Sequence, residues 1–91
     1  MRTQKKIKSL KMSYAKQQSI YRTCRNYYKQ NDAVQKKIRL LVREAAKDEP
    51  EDCLALFAVL TTERSIRSIA LDHFMSERKL YDLRKKFYES W

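Results

Sequence analysis

The chain has 91 residues, no glycine and one proline, Pro50. Glycine is the residue that takes positive φ without a steric penalty, and tight β-hairpins rely on it for their two-residue turns. Its absence argues against an all-β fold. Lys, Arg, Gln, Leu, Ala and Glu dominate what remains, and these are good helix formers. The expected fold class is therefore all-α. A chain of this length makes one domain, burying about two-thirds of its unfolded surface.

Apolar spacing divides that domain into five expected helices. From about Arg2 to Gln30 no breaker interrupts the chain, which reads as one long basic helix. Ile7, Leu10, Tyr14, Gln17, Tyr21, Cys24 and Tyr28 step by three and four along it, a heptad seam. Met12, Ile20 and Tyr27 lie off the seam and widen the apolar face. The seam can pack on the protein's own core or pair with another chain, and the basic face can lie along phosphates. Asn31 and Asp32 end this helix and cap the next, where Val34, Ile38, Leu41, Val42 and Ala45 form one stripe over 33–47. Asp48 with Glu51 resembles a capping box, Pro50 suits a first turn, and the surrounding carboxylates favour the positive end of a helix dipole. The run Cys53–Leu60 is apolar on every side, as expected of the buried centre of a small domain. Thr61 or Thr62 is expected to cap a fourth helix through about His73, and Ser76 a fifth through about Ser90.

Charge is distributed as unevenly as the breakers. Residues 1–31 hold nine basic side chains and no acidic one, 32–62 five basic and six acidic, and 63–91 seven and five. Together they give a net charge of +10. A positive block of this kind attracts polyanions and steers their approach; nucleic acid, an acidic protein and an anionic membrane surface are the candidate partners. The membrane surface is the weakest, because the apolar face of the first helix is tyrosine-rich and interrupted by Gln17. No stretch is apolar enough to span a bilayer, and the basic start lacks the apolar centre of a signal peptide. Cys24 and Cys53 sit in separate apolar patterns and read as reduced, mostly buried thiols of a cytoplasmic protein. With His73 the only histidine, a zinc site has too few ligands. No nucleophile–histidine arrangement or glycine-rich phosphate loop can be assembled. The expectation is no enzyme, no metal and no cofactor.

The segment Ser65–Phe87 carries the functional signal. Counting Ile66 as first, Ile69 and Ala70 fall fourth and fifth, Met75 tenth, Leu80 fifteenth and Leu83 eighteenth. That is the inward-facing apolar spacing of a DNA-binding helix-turn-helix. Ala70 lets the two helices cross closely, and Ser76 can cap the second. Glycine-turn repressors carry glycine at the ninth position; this chain has Phe74. Phenylalanine at positive φ is costly, so a turn of another type is expected.

In a helix-turn-helix the second helix enters the major groove and the first crosses the backbone. Glu77, Arg78, Tyr81 and Asp82 then approach base edges; arginine can grip guanine and a carboxylate can accept from cytosine. Lys85 and Lys86, with Arg64, Arg67 and Ser76, suit phosphates, and Lys79 suits either role. Leu80, Leu83, Phe87 and Trp91 are expected to face the core. The same segment resembles the C-terminal motif of the sigma-factor region-4-like regulators of phages, of the ArpU and RinA kind, over about a quarter of the chain. The matching residues are Ile69, Ala70, Phe74, Ser76, Glu77, Arg78, Leu80, Tyr81, Arg84 and Lys85, and an aromatic before the serine is tolerated in that group. The resemblance implies sequence-specific binding of double-stranded DNA in phage or mobile-element transcription, with RNA polymerase as a possible partner.

The expectation is a nucleoid-associated transcriptional regulator in the cytoplasm, that of the host if phage-encoded, with a homodimer plausible through the N-terminal seam. Two alternatives stand beside it: an interaction protein whose basic N-terminal helix binds an acidic protein, and a phage packaging or replication accessory that binds DNA.

Overall fold

In the computed structural model, which describes residues 10–91, the chain forms five α-helices and one short 3₁₀ turn. Helix α1 runs over Tyr14–Arg25, the 3₁₀ turn over Tyr27–Lys29, α2 over Asp32–Ala45, α3 over Pro50–Thr61, α4 over Ile66–Asp72 and α5 over Glu77–Ser90. No strand occurs among the described residues. Helix α3 lies at the centre, against α1, α2, α4 and α5, and α5 packs on α2, α3 and α4. Ile38, Leu56, Ile69, Leu80 and Phe87 are among the fully buried residues these helices pool.

The long basic N-terminal helix is the first expectation to need correction. The part before Leu10 lies outside the described residues, but Leu10–Met12 are not helical and Ser13 caps α1, its Oγ accepting from the Lys16 N–H at 3.2 Å. A serine hydroxyl that satisfies a free N–H starts a helix as effectively as a breaker would stop one. At the other end the helix stops at Arg25, and Asn26 and the 3₁₀ turn take the chain round. The buried stripe of this region is Gln17, Ile20, Cys24 and Tyr27. The expected seam is therefore split: Leu10, Gln17 and Cys24 are buried in the protein's own core, while Tyr14 and Tyr28 are exposed. Gln17 tolerates burial because its Nε2 donates to the Met12 carbonyl at 3.2 Å.

Helix α2 begins as expected, with Asn31 Oδ1 accepting from the Val34 N–H at 2.9 Å. Ile38, Val42 and Ala45 are buried, and Val34 and Leu41 pack beside them. Its end shows what the lack of glycine entails. Lys47 and Asp48 both take positive φ, 52° and 59°. The Asp48 N–H reaches back to the Arg43 carbonyl at 2.9 Å and the Lys47 N–H to that of Glu44 at 3.3 Å, the paired bonds of a Schellman cap. Asp48 is thus not the cap of α3. Glu49 holds that place without a side-chain hydrogen bond, Pro50 opens the helix, and the Asp48 carboxylate turns to Arg43 at 2.9 Å.

Helix α3 is central but not buried on every side. Ala55, Leu56 and Leu60 are inside, Cys53 and Phe57 are half-buried, and Leu54 is exposed. Helix α4 is capped by Ser65, whose Oγ accepts from the Ser68 N–H at 3.1 Å, rather than by Thr61 or Thr62. Both threonine hydroxyls instead donate back to carbonyls of α3, Thr61 to Phe57 at 2.8 Å and Thr62 to Ala58 at 2.6 Å. In α5, Leu80, Leu83 and Phe87 are buried as expected and Trp91 packs half-buried against the core, with Lys37 Nζ 4.1 Å from its ring centroid. Tyr88 is fully buried as well.

Candidate nucleic-acid interface

The junction of α4 and α5 is a second Schellman cap. The Met75 N–H donates to the Ala70 carbonyl at 3.0 Å and the Phe74 N–H to that of Leu71 at 3.3 Å. Phe74 sits between them at φ 53°, so the sequence-based expectation of a different turn is overturned. Two hydrogen bonds and the close packing of buried Ile69 and Ala70 hold the chain there, against a cost of roughly 1–2 kcal/mol for a non-glycine residue in this region. Position nine of the segment thus has the left-handed backbone that glycine usually supplies, with a side chain 96% exposed. Ser76 then opens α5, its Oγ accepting from the Lys79 N–H at 3.1 Å.

Two side-chain contacts fasten this junction to the start of α3. His73 Nδ1 and Glu51 Oε2 lie 2.9 Å apart, and Lys79 Nζ lies 2.9 Å from Oδ1 of the buried Asp52. Two carboxylates of the acidic cluster at the start of α3, Glu51 and Asp52, therefore serve the junction. A cleft of about 490 Å³ opens beside it, bordered by Glu49, Glu51, His73, Phe74 and Lys79. Among the described residues no three His, Cys, Asp or Glu side chains converge as a metal ion would require.

The expected DNA-contact residues divide by what they touch. Arg64 is tied within the chain: its guanidinium binds the Asp72 carboxylate and donates to Ser68 Oγ at 2.9 Å. Lys79 is engaged with Asp52, and the Ser76 hydroxyl is spent on its cap. Arg67, Glu77, Arg78, Tyr81, Asp82 and Lys86 are exposed and Lys85 is half-buried. On an α-helix Arg78, Tyr81, Asp82 and Lys85 fall on one face, three, four and seven residues apart. The structure brings these four together, with Lys86 at the edge. No ion pair forms among Arg67, Arg78, Asp82, Lys85 and Lys86 within the described residues.

Sequence reasoning missed three elements of this surface. Arg84 lies over the Tyr81 ring, its guanidinium carbon 5.2 Å from the centroid; the three-residue spacing was the available signal. Leu71 is 70% exposed on α4 one turn before Phe74. The Asp52–Lys79 pair had no signal, because its partners are far apart in the chain. Both cysteines are free thiols. Burial pushes Cys24 up to about 12, and Cys53 is raised first by burial and then by Asp48, with Arg43 opposing.

Compared with known proteins, the chain stands apart: no family model, no curated protein and no solved structure matches it. No helix among the described residues is long and apolar enough to cross a membrane.

Proposed function

We propose that the protein is a sequence-specific DNA-binding regulator of transcription, of phage or mobile-element type, reading double-stranded DNA with α5. The observation that carries this reading is the α4–α5 junction. Two helices pack together with Ala70 buried on the first, a left-handed residue stands at position nine, and a capped second helix follows with an arginine, a tyrosine and a lysine on its outer face. Laid in the major groove, α5 sets Arg78 against a guanine edge, with Asp82 and Glu77 placed to accept from cytosine. Arg67, Lys85 and Lys86 neutralise phosphates. Arg64 and Lys79 act as scaffold, since their charges are engaged within the chain. A single head covers few base pairs, so binding as a pair of copies suits the reading; the buried share of the N-terminal seam cannot serve as their contact.

DNA titrations over a salt series test the proposal, using the intact chain and the variant carrying Arg78→Ala with Tyr81→Ala. The intact chain is expected to prefer one duplex sequence. The double substitution should lower affinity for that duplex by about 10- to 100-fold, on the scale of one lost base contact, and leave non-specific binding close to its original value. Equal affinity of variant and parent for the preferred duplex overturns the assignment of α5.

A second reading has one specific observation in its favour. Leu71 and Phe74 are large apolar side chains held in water beside the turn, a feature suited to a protein surface such as that of RNA polymerase. Loss of polymerase binding on Leu71→Ser with Phe74→Ser, with DNA affinity unchanged, would assign that face to protein.

A further inference from the structure

Arg84 does not behave as one more surface cation. It is half-buried, its Nε is buried without a hydrogen-bond partner, and its guanidinium covers one face of the Tyr81 ring. Burial pulls its pKa down, and Tyr88 and Tyr81 pull it back up. A half-buried guanidinium whose Nε is buried is less free to reach a phosphate than the exposed Arg78 or Lys86. What it does is lie over the ring in front of it. A planar guanidinium stacks on an aromatic face, and a side chain fixed before contact loses less freedom when contact is made.

Tyr81 is 48% exposed. One face of its ring lies against Arg84. Arg78 and Lys85, three residues before and four after, stand on the same side of α5. The ring is thus an exposed aromatic surface backed by a guanidinium, beside an arginine with no ion pair among the described residues. On the floor of the major groove the exposed apolar group is the thymine methyl.

We infer that Arg84 is a positioning residue that presents the Tyr81 ring to a thymine methyl group, so that the preferred DNA site carries a thymine beside the base pair read by Arg78. This rests on the DNA-binding reading above and adds to it a base identity and a residue that acts through another.

The test begins with selection of a preferred duplex from a random pool by the full-length protein. Each thymine of that duplex is then replaced singly by uracil, which removes the methyl group alone. The parent should lose about fourfold in affinity at one position, the equivalent of one buried methyl group at about 0.8 kcal/mol. Tyr81→Ala should abolish that sensitivity and Tyr81→Phe should keep it. Arg84→Met, which keeps the aliphatic stem, should abolish it too, while binding of a scrambled duplex and its salt dependence stay as in the parent. Arg84→Lys provides the same reading if the methionine variant does not fold, because it keeps the charge and lacks the planar face. If Arg84→Met instead flattens the slope of log affinity against log salt by about 0.9, Arg84 is a phosphate contact and the positioning role is wrong. Insensitivity of the parent to every uracil overturns the thymine assignment while leaving DNA binding intact. A selection that yields no preferred duplex, or binding confined to single strands, overturns the underlying reading and this inference with it.

Discussion

Among single residues, Phe74 shows most directly what the lack of glycine costs. Its backbone is left-handed, its side chain is almost fully in water, and among the described residues neither burial nor a ring contact offsets the conformation. Replacing Phe74 with glycine should therefore stabilise the protein by about 1 kcal/mol, which for a domain of this size raises Tm by roughly 4–8 °C. Phe74→Ala keeps a Cβ in the same backbone region and should give little of that gain. Thermal unfolding of the three proteins followed by circular dichroism decides it, and a Phe74→Gly variant no more stable than Phe74→Ala would show that the turn carries no such strain. The position was legible in the sequence, but its geometry was not. Residue identity argued for another turn, whereas two backbone hydrogen bonds, with Ile69 and Ala70 buried just before them, hold this one. Lys47 and Asp48 make the same point at the end of α2.

Helices were legible where a cap and a stripe agreed. Asn31 with the Val34–Ala45 stripe located α2, and Ser76 with Leu80, Leu83 and Phe87 located α5. Helix α1 failed on both counts. Its capping Ser13 is followed by no acidic first turn, and its tyrosines step at heptad spacing while their hydroxyls allow them to stay at the surface. Ala70 is a small residue buried on α4, the helix that packs against α5. Ala70→Leu should therefore destabilise by roughly 1–3 kcal/mol through overpacking, measured by urea unfolding. On the proposed reading, the same change should also weaken sequence-specific DNA binding by displacing α5 on its support. An Ala70→Leu variant as stable as the parent would mean that the helices do not need a small residue where they meet.

For the molecule as a whole, the all-α class followed from composition, and central α3 from its apolar run. The fastening of α3 to the α4–α5 junction by Asp52–Lys79 and Glu51–His73 joins residues distant in the chain, and no local pattern encodes such a pair. Global stability should respond to alkali through Cys24. Its thiol titrates from an ordinary value of 9.0 when unfolded but near 12 when folded, so the folded state holds the proton more tightly. That contribution is complete below about pH 9 and is lost as pH rises towards 12, with a slope of at most about 1.4 kcal/mol per pH unit. Subtracting the alkaline unfolding profile of Cys24→Ala from that of the parent isolates it from lysine and tyrosine titration. Parallel profiles would refute the assignment.

Helix α5 has two duties in one span of fourteen residues. Its inner side supplies Leu80, Leu83, Phe87 and Tyr88 to the core, and its outer side presents Arg78 and Tyr81. On the proposed reading, recognition and folding draw on one cooperative unit, and α5 cannot loosen without loosening the core. A ligand that occupies the outer side withdraws molecules from the unfolding equilibrium by RT ln(1 + [L]/Kd), about 2.7 kcal/mol at a hundredfold excess over Kd. The melting temperature thus becomes a label-free reporter for whatever this helix holds.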